Sequence, residues 1–194
     1  DTSYQVNFEK NKVQFIEELN DLLKDSLRMQ IRSDVPIGSH LSGGIDSSAI
    51  TSLAAAHFDD EFFVFTGKFE EGQAYDEAHY AKLVVEKINA CHHEVVPTAQ
   101  QFVDLLPKLI YFLDQPIAGP GLFPQFLVSQ LASKHVKVVL GGQGGDEVFG
   151  GYARYLIGYL EQALKGAILE TQEEGEHVVT LSSIISNLSI HKEY

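Results

Sequence analysis

The sequence predicts an α/β protein: a parallel sheet with helices on both faces. Three observations predict it. Short apolar segments alternate with longer segments whose apolar residues recur every three or four positions. Turn-forming residues separate them. Two glycine-rich loops, Ser42–Ser48 and Gly141–Glu147, each follow a strand-like segment and lead into a helical one. Loops at the carboxyl ends of parallel strands are where such sheets bind ligands.

Residues 8–31 read as an amphipathic helix. Phe15, Ile16, Leu19, Leu22, Leu23 and Leu27 form its apolar stripe, and Glu17, Glu18, Asp21, Lys24 and Asp25 its polar face. Residues 35–41 read as a first strand, with Pro36 near its start, where a missing N–H is tolerated. The turn Ser42-Gly43-Gly44-Ile45-Asp46-Ser47-Ser48 leads to a helix over Ala49–His57. Phe62–Thr66 is a second strand and Gly67–Tyr75 a polar loop. Asp76 is a plausible cap for a helix over Glu77–Ile88, with Ala78, Ala81, Val84, Val85 and Ile88 inward.

Cys91–Val96 is a third strand, closed by Pro97. Phe102–Leu113 is helical despite Pro107, and Asp114-Gln115-Pro116 ends it. After a turn at Gly119-Pro120-Gly121, Phe123–Ser133 is helical and Val136–Leu140 is a fourth strand. Helical character resumes at Val148. Beyond Gly166 the chain changes character: Glu170–Glu176 is an acidic run, and Val178–Ile190 is weakly amphipathic. The expected organisation is one domain over 1–166, followed by an acidic linker and helical tail over 167–194.

The chain has 194 residues, enough for one sizeable core. It carries 14 Lys and Arg against 27 Asp and Glu, a net charge of −13, so a basic stripe for nucleic acid and an anionic membrane partner are both disfavoured. No apolar run approaches the roughly 18 residues of a membrane span. Cys91 is the only cysteine, so no internal disulfide framework exists, which fits a reducing, cytoplasmic setting. The start at Asp1-Thr2-Ser3-Tyr4 reads as an excised or processed piece rather than a signal peptide.

The first glycine-rich loop has the chemistry of a phosphate cradle. Gly43 and Gly44 allow close backbone approach to an anion, Ser42, Ser47 and Ser48 bring hydroxyls, and the following helix points its positive end at the same place. It is neither a Walker A loop nor a dinucleotide fingerprint, because Gly-Lys-Ser/Thr and G-x-G-x-x-G are both missing. Asp46 would repel a phosphate unless a cation bridges them, which points to Mg²⁺. The bland alternative is a glycine turn with Asp46 as helix cap. The second loop repeats the pattern with Gly141, Gly142, Gly144 and Gly145 ahead of Asp146 and Glu147. Asp46 and Asp146 together could hold one Mg²⁺ on a pyrophosphate. The eight histidines show no metal-ligand spacing. His92-His93-Glu94 reads as a polar strand edge, since neighbours on a strand point to opposite faces.

At this point the sequence resembles a family. Leu41-Ser42-Gly43-Gly44-Ile45-Asp46-Ser47-Ser48 is similar to the pyrophosphate loop of the N-type ATP pyrophosphatases, whose fold is adenine nucleotide alpha hydrolase-like. Ser33-Asp34-Val35-Pro36-Ile37-Gly38, His92-His93-Glu94 and Gly144–Tyr152 resemble glutamine-dependent asparagine synthetases in particular. The resemblance runs from about Phe8 to about Leu164. It implies ATP-dependent conversion of aspartate to asparagine through β-aspartyl-AMP. Ammonia would come from glutamine through an N-terminal glutaminase domain whose catalytic Cys has no counterpart at Asp1. A homodimer is left open.

By resemblance, Ser42, Gly43, Gly44, Asp46, Ser47 and Ser48 hold pyrophosphate. Leu41 and Thr66 contact adenosine, Gly141 and Gly142 occupy nucleotide-contacting positions, and Asp46 and Asp146 bind Mg²⁺. The chain departs from the family in two places. Gln143 stands where the synthetases commonly have a Glu tied to adenylation and ammonia attack; a carboxamide cannot take a proton, though it can orient ammonia. The stretch Ile117–Phe123 lacks the Arg that some synthetases use on the substrate carboxylate. The family's later catalytic Lys has no assignable counterpart. A β-lactam synthetase-like ligase and a non-catalytic nucleotide-binding module therefore stay open beside the asparagine synthetase reading.

Overall fold

The computed structural model describes residues 10–58, 61–69, 77–114, 119 and 121–169. The expected features at Asp76, Gln115–Ile117 and Pro120, and all of the tail beyond Leu169, lie outside them. The chain divides into two compact units, one up to Gln143 and one from Gly144 on.

The first unit holds a four-stranded sheet in the order β3-β2-β1-β4, with every described pair parallel. The strands are β1 (Ile37–His40), β2 (Phe63–Gly67), β3 (Cys91–Val95) and β4 (Val138–Leu140). The helices between them are α1 (Lys12–Gln30), α2 (Ile45–Ala55), α3 (Ala78–Ile88), α4 (Ala99–Leu113) and α5 (Leu122–Ala132). The parallel α/β expectation holds.

The strand order gives the fold its logic. From β1 the chain steps outward to β2 and β3, crossing over through α2 and α3. It then returns through α4 and α5 to the other side of β1. Crossovers keep one hand, so reversing direction moves the crossing helices to the opposite face. The side chains of β2 record this. Val64 joins Leu27, Ile37, Leu41, Ala54 and Ala81 in the core beneath α1, α2 and α3. Phe65 joins Val128, Ala132 and Val136 beneath α5. Gly38 makes room on this second face: a Cβ there would lie 2.8 Å from the Phe65 ring.

Boundaries moved where caps outweigh periodicity. Asn11 and Gln14 form a reciprocal capping box that starts α1 at Lys12. Thr98 and Gln101 do the same for α4, which begins a turn earlier than its apolar residues suggest and runs on through Pro107. The helix expected from Ala49 already begins at Ile45, so half of the first glycine-rich loop is the first turn of α2. The α1 stripe is covered only in part: Leu27 is buried at 2% exposure, but Phe15, Ile16 and Leu22 stand 45–64% exposed. The helix packs on α2 and reaches the sheet core through Leu27, so the rest of its stripe stays open.

Polar groups inside this unit are mostly paired. Ser39 on β1 meets Thr51 on α2 at 2.7 Å, both fully buried. On the α5 face the rings of Phe63, Phe65, His93 and His135 form one stack, with His93 and His135 centroids 4.0 Å apart. The buried Nε2 of His40 has no protein partner. In the second unit, α6 (Gly145–Phe149) and α7 (Ala153–Leu169) are separated at Gly150, which adopts φ 70°. The helical character expected from Val148 onward is therefore interrupted by a glycine in the left-handed region. No helix among the described residues is long and apolar enough to cross a membrane.

Burial holds His40, His92 and His93 below the ordinary imidazole value of 6.5. Each therefore binds its proton more weakly in the fold than in the unfolded chain. The stability they contribute is complete above that value and is lost as pH falls through the lowered folded values. Urea unfolding of the wild type is expected to lose stability between about pH 7.5 and about pH 5.5, relative to a His40→Phe/His93→Phe variant measured alongside. Parallel pH profiles for the two proteins would contradict this. The variant cancels the opposite effect of relieving carboxylate repulsion.

Candidate functional site

The site follows from the strand order. Strand order reverses at β1: the chain steps from β1 to β2 and β3 on one side and comes back to β4 on the other, and a crevice opens outside the carboxyl ends of the strands at such a point. The loop after β1 and the start of the loop after β4 flank that crevice.

The first loop is organised by its own serines. Ser47 is buried in the first turn of α2; its hydroxyl donates to the Gly44 carbonyl at 3.1 Å and accepts from the Ser42 amide at 3.3 Å. The Ser42 hydroxyl lies 3.0 Å from it and accepts from the Gly44 amide. Ser47 thus spends its proton on shaping the loop, where the sequence expectation made it a phosphate donor. Gly44 is the N-cap of α2 and supplies no side-chain cap. The amides of the first turn are left for another acceptor, and they sit at the positive end of the helix. Asp46 stands half-buried in that same first turn.

Two glycines make the cradle sterically possible. Gly43 adopts φ +100°, and a Cβ there would lie 2.3 Å from the carbonyl oxygen of Glu77. Gly142 lies against the first turn of α2, where a Cβ would fall 2.6 Å from the Ser47 amide nitrogen and 3.0 Å from the Asp46 Cβ. The second loop therefore rests on the N-terminus of α2 through bare backbone. Gln143 is exposed, and its carboxamide folds back over Gly141.

Leu41 and Thr66 are joined rather than open. They are 1% and 0% exposed. The Leu41 amide donates to the Phe65 carbonyl at 2.9 Å, and the Thr66 hydroxyl donates to the Leu41 carbonyl at 2.8 Å. Sequence reasoning missed two participants: Glu77, whose main chain abuts Gly43, and His92, whose Nε2 lies 2.8 Å from the Thr66 hydroxyl. The His92-His93-Glu94 string was visible, but the register of β3 on β2 sets Glu94 opposite Thr66, and His92 reaches the Thr66 hydroxyl diagonally from the position opposite Val64.

In the second unit, Asp146 and Glu147 occupy the first turn of α6. Glu147 accepts from the Tyr152 hydroxyl at 2.7 Å, and this bond holds its carboxyl below the usual carboxylate range. Asp146 lies beside Gly151, where a Cβ would meet its Oδ1. The two carboxylates are therefore unlike: Glu147 is engaged by a tyrosine, and Asp146 is packed against a glycine. Among the described residues no cluster of three or more His, Cys, Asp or Glu side chains is arranged for a metal. A Mg²⁺ would need to draw most of its oxygen shell from phosphates and water.

Overpacking at either first-unit glycine is expected to cost about 1–3 kcal/mol of stability, so Gly43→Ala and Gly142→Ala should both lower the urea midpoint. Both should also weaken pyrophosphate binding, measured by calorimetry, by about tenfold or more. Gly158→Ala, where a Cβ meets nothing within 4 Å, is the control and should leave binding unchanged. Wild-type binding by Gly43→Ala and Gly142→Ala would mean that the two loops do not form a cradle.

Comparison with known proteins follows the same residues. The asparagine synthase family profile matches residues 18–186. Asparagine synthetase 1 of Bacillus subtilis, named as glutamine-hydrolyzing, is 37% identical over 157 residues, covering 79% of this chain and 24% of that protein. A Mycobacterium tuberculosis (strain H37Rv) protein, whose name also assigns it to the glutamine-hydrolyzing asparagine synthetases, is 45% identical over 139 residues, covering 72% and 21%. Asparagine synthetase B of Escherichia coli is 32% identical over 156 residues, covering 74% and 28%. The chain thus spans between a fifth and a third of the length of these relatives. Among solved structures, an NH3-dependent NAD synthetase from Campylobacter jejuni superposes with a TM-score of 0.48 at 15% identity, covering 95% of each chain. The family profile covers the sheet, both glycine-rich loops and the helices that carry them, and the chain belongs to the asparagine synthase family.

Proposed function

We propose that the chain is the ATP-using part of an amide-forming ligase that activates the side-chain carboxylate of aspartate for attack by ammonia. The observation that carries this reading is the uncapped N-terminus of α2, shaped by Ser42 and Ser47 and covered by the bare backbone of Gly142. Backbone amides at a helix start, with glycines that admit close approach, suit a polyphosphate.

The chemistry assigned to the site has two steps. An aspartate carboxylate oxygen attacks the α-phosphorus of ATP, and the bond to pyrophosphate breaks. Ammonia then attacks the acyl carbon of β-aspartyl-AMP, the bond to AMP breaks, and one ammonia proton is lost. Gly43 and Ser47 hold the leaving pyrophosphate by their amides and Ser42 and Ser48 by their hydroxyls, while Gly44 lets the anion approach the backbone. Leu41 and Thr66, buried and bonded to each other, back the adenosine side from beneath, and Gly141 and Gly142 bring the second loop to the nucleotide. Asp46 and Asp146 are the carboxylates assigned to Mg²⁺, which when bound offsets charge on the leaving group. Positioning and charge neutralisation are the contributions such a site makes. Gln143 donates or accepts a hydrogen bond without taking a proton, so its assigned part is to orient ammonia.

The same reading places the chain in the cytoplasm, with ammonia delivered from glutamine by a glutaminase domain of a longer protein, and leaves a homodimer open. A second reading has support in the sequence. Gln143 and the absence of Arg from Ile117–Phe123 favour a different carboxylate acceptor in a related ligase.

The test is pyrophosphate release from Mg-ATP with ammonium present, and with aspartate, glutamate or no amino acid. Release that requires aspartate is the expected result, and Asp46→Asn should lower it by about a hundredfold. Release driven by another carboxylate would move the assignment to the second reading. Full activity in Asp46→Asn would remove this carboxylate from the metal site.

A further inference from the structure

On β3, outside the glycine-rich loops, His92 makes a contact that none of the site assignments uses. Its Nε2 lies 2.8 Å from the Thr66 hydroxyl oxygen. That hydroxyl has one proton, and it is donated to the Leu41 carbonyl at 2.8 Å. The His92 Nε2 must therefore carry a proton and donate it. The result is a directed chain of hydrogen bonds across three adjacent strands, from the His92 imidazole to the Thr66 hydroxyl to the Leu41 carbonyl.

The end point matters because Leu41 is where β1 leaves the sheet. The Leu41–Ser42 peptide unit is held at both ends: its carbonyl by Thr66, its N–H by the Ser47 hydroxyl. The orientation of this one peptide sets the direction in which the glycine turn departs. Thr66 is fully buried, so its hydroxyl has no water to replace a missing partner. Without the His92 donor, Thr66 keeps its bond to the Leu41 carbonyl but loses one of the two hydrogen bonds that hold its hydroxyl.

We propose that His92 is a positioning residue for the nucleotide site: through Thr66 it fixes the Leu41–Ser42 peptide from which the anion-binding loop springs. The inference rests on the reading of Ser42–Ser48 as the polyphosphate loop. It adds a residue two strands away from that loop. The neighbouring charges leave the donor in place. Burial most of all, with Lys82 on α3 and His93, disfavours a charged imidazole while Glu94 favours it, and both the neutral Nε2–H form and the imidazolium donate.

The experiment is calorimetric titration of the chain with Mg-ATP, for the wild type and four variants, with thermal unfolding measured on each. His92→Leu removes the donor. His92→Gln keeps an N–H near the Nε2 position, and His92→Asn withdraws it. Thr66→Val removes the link. His92→Leu and His92→Asn are expected to weaken Mg-ATP binding about fivefold, and His92→Gln to restore most of it. In the Thr66→Val background, His92→Leu should cause no further loss, since the path is already cut. If His92→Leu does not fold, the Gln and Asn pair carries the same comparison. Equal affinity in the wild type, His92→Asn and His92→Gln overturns the inference, as does full additivity of His92→Leu with Thr66→Val. A wild-type chain that binds no Mg-ATP would instead overturn the polyphosphate reading itself, and with it this proposal.

Discussion

The close approach of the Gly142 backbone to the first turn of α2 is the contact on which the rest of the site depends. A side chain at that position would fall 2.6 Å from the Ser47 amide nitrogen. The contact brings the end of β4 to the start of α2, beside the point where strand order reverses. The reversal is a property of the whole sheet, built by burying β2 on both faces between α1–α3 and α5. The glycine converts that topology into a local feature: a helix N-terminus with free amides, walled by main chain. Sequence, packing and chemistry meet at one residue whose only contribution is to lack a side chain.

The loop's serines act in a second way. Ser42 and Ser47 close a small ring of hydrogen bonds around Gly44, so the turn is shaped before any ligand arrives. A preorganised cradle loses less freedom on binding, and that loss is a principal cost of holding a small anion. The outward path from this ring runs through the Leu41–Ser42 peptide to Thr66 and His92. The loop is thus anchored to the sheet by polar contacts that its glycines cannot supply.

Much of this was legible in the sequence, for definite reasons. β2 and β4 are short, mainly apolar runs bounded by turn residues, and the two glycine-rich loops follow β1 and β4 as their composition indicates. The helix starts were harder to place. Apolar periodicity cannot see the Thr98–Gln101 capping box, and it placed the start of α2 at Ala49 because Ile45-Asp46-Ser47-Ser48 looks like loop. The amphipathic stripe of α1 marks a helix that packs, but it does not tell how much of the stripe is covered: Leu27 is buried while Phe15, Ile16 and Leu22 are exposed. The Thr66–His92 contact was out of reach altogether. It depends on a cross-strand register between residues 26 positions apart, and no local pattern encodes that.

The central claim is that the backbone of the 42–48 turn, with Gly142 above it, forms the anion site. Hydrogen–deuterium exchange of the chain with and without Mg-pyrophosphate tests this most directly. The account predicts slowed exchange confined to the amides of residues 43–47 and to the start of the second loop, with β3 and α4 unchanged. Unchanged exchange at the 42–48 turn under saturating Mg-pyrophosphate, or protection centred elsewhere on the sheet, would contradict it.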